Sequence, residues 1–236
     1  LGATITQVGY ADNGRTVYAF ATLEDNVQLV GKEVGSKQIL MLDDRNGKAG
    51  LKVIPFYERF ICCNQNQGAM RKFGSISHRH SGKFAMSHVA EDLGIVQQGF
   101  DDMIPTMRRM AEANISASDA LQVVYSLHSK ADKVEDESTR NLNRVLEITN
   151  LFTANRGIGM SAAETNGTVY GLYNAVTEYY NHSSSKNANS LFKSKTDGAG
   201  SKMMTNAYNC LEAILAGTEP MPANEELERV YVQLAS

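Results

Sequence analysis

Two Asn-Gly pairs, each set between short runs rich in β-branched and aromatic residues, constrain the N-terminal part of this chain more than any other feature. Asn13-Gly14 and Asn46-Gly47 can adopt the positive φ angles of a tight turn, so each predicts a β-hairpin. The strand pairs are predicted at Thr4–Tyr10 with Thr16–Leu23, and at Lys37–Leu42 with Leu51–Cys62. Together they predict an antiparallel sheet of about four strands. Pro55 has no N–H to donate, so it should mark an edge or a bulge in the last strand.

Beyond Asn64 the apolar residues recur every three or four positions, which is the period of an amphipathic helix. Ser116 and Asp119 resemble a capping pair at the start of one helix. Pro105 should kink or break another, because proline lacks the helical N–H. The predicted helical faces are Phe100, Met103, Ile104, Met107 and Met110; Ala120, Leu121, Val124 and Leu127; Leu142, Val145, Leu146, Thr149 and Phe152; Val169, Leu172, Tyr173, Val176 and Tyr180; and Leu227, Val230, Tyr231 and Leu234 behind Asn224.

Hairpins followed by helices predict an α+β fold, with the sheet packed against the helical part. We expect one domain over residues 1–236, in which residues 1–64 form the sheet and residues 65–236 are mostly helical. The stretch 181–201 is rich in Ser, Asn, Lys and Gly, so we expect a mobile basic loop there.

Composition excludes several classes of protein. The chain is 42% hydrophobic and 21% charged, which are globular values. No run of about 18 apolar residues and no basic start followed by an apolar block is present, so neither a membrane span nor a secretory signal is expected, and we predict a cytoplasmic protein. Three cysteines, of which Cys62 and Cys63 are adjacent, do not predict a disulfide framework.

The charges are segregated along the chain. No Asp or Glu occurs from Arg59 to Ala90, a segment that contains five Lys and Arg residues and three histidines. A second segment, Tyr179–Leu211, carries four lysines against the single acid Asp197, although the whole chain has a formal net charge of −3. Such segregation is typical of a protein with one face that meets a polyanion, although clustering by chance is an open alternative.

Single-stranded nucleic acid is bound by cations along its phosphates and by flat side chains under its bases. We assign the first segment to an inner phosphate track and the second to a mobile outer clamp. The cations are Arg59, Arg71, Lys72, Arg79 and Lys83, then Lys186, Lys193, Lys195 and Lys202. The candidate stacking side chains are Phe73, Phe84, Tyr179, Tyr180 and Phe192, for which the alternative is a place in the core.

Enzymatic chemistry has no comparably strong pattern. His78, His80 and the pair Cys62-Cys63 are chemically suited to zinc, but adjacent cysteines rarely bind one ion and no second ligand pair follows. No nucleophile motif accompanies the histidines, and Gly198-Ala199-Gly200 lacks the full phosphate-binding pattern, so we interpret it as a flexible loop. We therefore predict no enzyme activity, no metal and no cofactor.

Three stretches together resemble the phage/plasmid-like family, a domain of unknown function found in bacteriophages and plasmids. They are Arg59–Asn64 (RFICCN), Ile76–Ser81 (ISHRHS) and Thr168–His182 (TVYGLYNAVTEYYNH). The family's aromatic residue after the threonine is displaced here to Tyr170. The resemblance implies a phage or plasmid origin and brings no settled activity with it. Hairpins that lead into helices are also similar, at the level of the fold alone, to phage single-strand annealing proteins, which form rings or filaments on DNA.

These observations lead to one expectation and two alternatives. We expect an oligomeric single-stranded DNA-binding protein of the annealing type, acting in recombination or replication. The first alternative is a self-assembling structural protein of a phage or plasmid element without nucleic-acid affinity, whose basic segments meet the acidic surface of the next subunit. The second is a metal-dependent nuclease or hydrolase that uses His78 and His80.

Overall fold

The computed structural model describes most of the chain and confirms the α+β prediction. The described residues are 2–11, 13–31, 33–45, 50–59, 76–78, 86–129, 131, 133–153, 165–184, 187–224 and 226–227. An N-terminal antiparallel sheet precedes a helical part, as the change in periodicity predicts.

The sheet is an antiparallel meander in the order β1-β2-β3-β4-β5. Its strands are β1 (Thr4–Ala11), β2 (Thr16–Val30), β3 (Glu33–Asp44), β4 (Leu51–Arg59) and β5 (Ile76–His78). Asn13 and Gly14 have φ angles of 56° and 83°, which confirms the first turn. The second Asn-Gly pair lies outside the described residues. Strand β5 was not predicted, because three residues are too few to show alternation.

The two predicted hairpins are joined by a third that the sequence did not indicate. Strand β2 ends seven residues later than predicted, β3 begins four residues earlier and ends two residues later, and the two strands pair along their length. The polar residues Glu24, Asp25 and Asn26 interrupt the alternation, and there the ladder is irregular, with register shifts between Thr22 and Glu24 and between Glu24 and Val27. Bulges of this kind keep two strands paired while the side-chain pattern slips.

Pro55 lies where the sequence places it. It pairs in register with Ile39 of β3, and β5 covers β4 only from Leu51 to Val53. Within the described strands, β4 is therefore an edge at Pro55, which is where a strand tolerates proline.

The helical part contains six described α-helices. They are α1 (Met86–Glu112), α2 (Ala117–His128), α3 (Thr139–Thr153), α4 (Val169–Glu178), α5 (Ala188–Asp197) and α6 (Ala199–Leu215), with a 3₁₀ turn at Val134–Asp136 and a π-helical turn at Tyr179–Ser183. Ser116 caps α2 by accepting a hydrogen bond from the Asp119 N–H at 3.0 Å, as predicted. The final predicted helix lies almost wholly outside the described residues. None of the six combines the length and apolar composition needed to cross a membrane.

Two predictions about the helices differ from the structure. Pro105 does not break α1, because it is exposed beside Asp101 and Asp102, so the carbonyl that loses its intrahelical donor lies on the solvent side. The stretch 181–201 is not a loop, because Asn187 caps α5 at the Ser190 N–H and Gly198 alone separates α5 from α6. The polar composition of this stretch gave no helical signal in the sequence, although tertiary packing stabilises α5 there.

Helix α4 occupies the centre of the helical part, and all ten of its residues are buried. It packs against α1, α3 and α6. A helix that is buried all round needs partners on every side, which these neighbours supply. The main core also includes Tyr57 and Leu29 from the sheet, so α1 packs over one face of the sheet.

A second, smaller core lies on the opposite face of the sheet. It consists of Phe20, Leu40, Leu42, Ile54 and Phe56, with Tyr18 and Phe192 packed against it. Since Phe192 belongs to α5, this helix covers the face that α1 leaves open. The stretch predicted as a mobile clamp is thus anchored on the sheet through an apolar contact.

Candidate nucleic-acid interface

Most of the predicted phosphate track lies outside the described residues. This applies to Arg71, Lys72, Arg79, Lys83 and Lys186, and also to the side chain of Arg59 at the end of β4. The described part of the predicted surface therefore consists of Lys193 and Lys195 on α5 and Lys202 on α6.

Lys193 and Lys202 are both exposed, on two helices that pack against each other. The junction between these helices is tight: a Cβ added to Gly198 would lie 2.9 Å from the Lys193 carbonyl oxygen. The Gly200 N–H donates to the Ser194 Oγ at 3.1 Å, which ties the start of α6 to α5. The prediction of a flexible Gly198-Ala199-Gly200 loop was wrong, because the glycines serve the close approach of two helices.

The environment of Lys195 differs from that of the exposed Lys193 and Lys202. It is half-buried between α5 and the sheet, where burial lowers its pKa and the nearby Glu58 carboxylate opposes that change. Glu58 in turn accepts a hydrogen bond from the Gln38 amide, which also donates to the buried Ser36 hydroxyl at 2.8 Å. Lys195 is thus compensated by an intrachain acid, so its assignment to an open phosphate clamp needs correction.

The described candidate stacking residues belong to the core. Tyr179 and Tyr180 are 9% and 5% exposed, and Phe192 lies 4.7 Å from the Tyr18 ring between centroids. The rings of Tyr179 and Tyr180 are buried, so the stacking assignment is corrected for these two, whereas the ring of Phe192 is half-buried and packs against the second core. Phe73 and Phe84 lie outside the described residues. The helical spacing that places Tyr180 with Val176 and Tyr173 is the pattern of a core face.

A buried polar contact that the sequence did not indicate lies at the π-helical turn. The His128 Nδ1 donates to the Val124 carbonyl at 2.7 Å, and because a carbonyl can only accept, Nε2 must accept from the Tyr180 hydroxyl at 2.9 Å. His128 is 4% exposed, and burial lowers its pKa, with Arg144 acting in the same direction. Burial likewise raises the pKa of Tyr180 to about 12. Both groups are therefore held neutral near pH 7.

The lowered pKa of His128 predicts a stability that falls in mild acid. Below the ordinary value of 6.5 the unfolded chain binds a proton that the folded His128 resists, so protonation favours unfolding. In urea unfolding between pH 7.5 and 5, the stability advantage of the wild type over His128→Gln should shrink as the pH falls. His182 is more exposed and its pKa is also lowered, by partial burial and then by Lys195, so His182→Gln should show the same trend to a smaller extent. If the stability difference between the wild type and His128→Gln does not change with pH, the neutral, buried state assigned to His128 is contradicted.

Metal binding has no support in the described part of the chain. There, no three His, Cys, Asp or Glu side chains lie close enough together to hold an ion. Cys62, Cys63, His80 and the side chain of His78, on which the zinc alternative depends, lie outside it.

Comparison with known proteins identifies the family alone. No curated protein and no solved structure matches the chain significantly. A family model described as a domain of unknown function, DUF932, matches residues 2–207, which include the sheet and all the helices up to the middle of α6. The three stretches that resemble a phage/plasmid-like family of unknown function lie within this match. The chain therefore belongs to the DUF932 family.

Proposed function

We propose that this protein is an oligomeric single-stranded DNA-binding protein of the annealing type, of phage or plasmid origin, which acts in recombination or replication. The observation that carries the proposal is the exposure of Lys193 and Lys202 on two packed helices, within a segment that contains only one acid. The acid-free stretch from Arg59 to Ala90 supports it from the sequence. Local excess of cations on a chain of net charge −3 is what a polyanion-binding face requires.

The exposed side of α5 is chemically suited to a nucleic-acid backbone. Besides Lys193 it presents Asn189 and Ser190, both exposed, whose amide and hydroxyl groups can donate to phosphate and sugar oxygens. Because Tyr179 and Tyr180 are buried and the half-buried Phe192 packs against Tyr18, binding at this surface depends on the backbone more than on base stacking. We therefore expect affinity that varies little with sequence and falls steeply with salt.

The proposal predicts a specific salt response. In fluorescence anisotropy titrations with labelled oligo(dT), Lys193→Gln/Lys202→Gln should weaken binding roughly tenfold and reduce the slope of log K against log salt by about 1.4, because each single-strand phosphate contact contributes about 0.7. The matched control is Arg45→Gln/Lys133→Gln, which removes the same charge from two exposed side chains that lie outside both basic segments. This control should bind as the wild type does.

Three results would contradict the proposal. One is a wild type without affinity for oligo(dT), and another is an affinity that does not change with salt. The third is an equal loss in the two double variants, which would show that only net charge matters.

A self-assembling structural protein without nucleic-acid affinity is the second candidate. The exposed apolar side chains of the edge strand β1 favour it, since they offer a surface for association that does not involve the lysines. Stable assemblies of nuclease-treated protein with no affinity for oligo(dT) would select this candidate over the first.

A further inference from the structure

Strand β1 is the edge of the described sheet and carries unusual exposed apolar side chains. Within the described strands only β2 pairs with it. Ile5, Val8 and Tyr10 are 63%, 66% and 75% exposed, and no residue from Thr4 to Ala11 is charged or proline. Edge strands are normally protected against further pairing by lysine, proline, an inward charge or a bulge, and β1 has only a bulge between Ile5 and Gln7, away from Val8 and Tyr10.

A bulge brings the three exposed side chains to one face of the strand. The register slips between Ile5 and Gln7, after which Val8 lies opposite Ala19 and Tyr10 opposite Val17, whereas Ile5 lies opposite Ala21. Residues directly opposite each other in an antiparallel pair share a face, and the three partners alternate along β2. Without the bulge Ile5 would point to the other face, so the slip aligns a continuous apolar row.

Gly9 lies at the centre of the regular part of β1, and its missing side chain has a specific use. A Cβ at Gly9 would lie 2.5 Å from Cζ of Tyr18, so the Tyr18 ring occupies that space. The aromatic ring packed over the glycine holds the edge strand on the sheet, and no other described strand pairs with its outer edge.

We propose that β1 pairs antiparallel with β1 of a second copy of this chain, about a two-fold axis at Gly9. In this register Val8 of each copy lies opposite Tyr10 of the other, so the two most exposed apolar side chains cover each other twice. An aromatic residue opposite a β-branched residue is a favourable cross-strand pair. The uncharged strand does not repel its own copy, and the pairing joins two five-stranded sheets into one. This inference deepens the homo-oligomeric part of the proposed function and rests on it.

The occupant is a second copy because the strand is complementary to itself. A two-fold axis repeats each contact, so one Val8–Tyr10 match is made twice, which is the rule for isologous interfaces. The axis also sets Gly9 against Gly9, where no side chains compete and the two Tyr18 rings lie on the far face.

The test is mass in solution, measured by sedimentation on nuclease-treated full-length chain without DNA. We expect the wild type to have at least twice the chain mass of 25.8 kDa. Val8→Lys and Tyr10→Glu should each lower that mass by half or more. Ile95→Lys is the matched control, since Ile95 is 47% exposed on α1 and its replacement should change nothing. Unchanged circular dichroism would show that the variants fold.

A mixture tests the register itself. Val8→Lys combined with Tyr10→Glu in equal amounts should recover a heterodimer, because the introduced ammonium group of one copy then lies opposite the introduced carboxylate of the other. A monomeric wild type, a Val8→Lys variant of unchanged mass, or a mixture that stays dissociated would overturn the inference. Because no DNA is present, these outcomes are independent of the oligo(dT) titrations, so an intact interface without DNA affinity would reject only the proposed function.

Discussion

Replacing Gly35 with alanine is expected to lower the free energy of unfolding by about 3 kcal/mol, the upper end of the usual cost of overpacking. Gly35 is buried in β3, and a Cβ there would overlap the Glu58 carbonyl oxygen and lie 2.5 Å from Cζ of Tyr57. The Tyr57 ring cannot move away easily, because it is fully buried and its hydroxyl donates to the Val27 carbonyl at 3.1 Å. Backbone on one side and a fixed ring on the other leave the methyl group no space.

Gly94→Ala is the matched control and should have the opposite sign. Gly94 lies within α1 with nothing within 4 Å of an added Cβ, so alanine should stabilise the helix by roughly 0.5–1 kcal/mol. Urea unfolding of both variants measures the two changes. If Gly35→Ala is as stable as the wild type, the packing of Tyr57 over β3 is wrong.

Replacing Ile54 with alanine is expected to cost roughly 2–5 kcal/mol. Ile54 is 1% exposed in the second core, where it lies opposite Leu40 and contributes to the surface that α5 covers through Phe192. Truncation leaves a cavity beneath α5 that the strands on either side cannot close. The loss should also loosen α5, so amide hydrogen exchange at residues 188–197 should accelerate more than exchange in α3.

Ile95→Ala supplies the comparison for the same change of side chain. Ile95 is 47% exposed on α1, so its truncation should cost well under 1 kcal/mol in the same urea titration. Equal costs for the two variants would contradict the burial of the sheet face under α5. A large cost without faster exchange in α5 would place the defect in the sheet alone.

The sequence predicted the elements whose signal is local. The Asn13-Gly14 turn, the Ser116 cap and the apolar faces of α2, α3 and α4 were all predictable, because turn angles, capping and periodicity depend on neighbours within about four positions. The candidate site was less predictable. Lys193 and Lys202 are exposed, whereas Lys195 looks the same in sequence and is half-buried near Glu58, which is far away along the chain.

The amino-acid order by itself determined the α+β class, the first hairpin turn, most helices and the segregation of charge, since each follows from short-range geometry or from counting. Only the tertiary structure decided that β2 and β3 pair across their polar interruption, that residues 188–197 form a helix over the sheet, and that Tyr179 and Tyr180 are interior. Burial and pairing are properties of residues brought together from distant positions. The role of a lysine, a tyrosine or a polar stretch therefore depends on which other part of the chain packs against it.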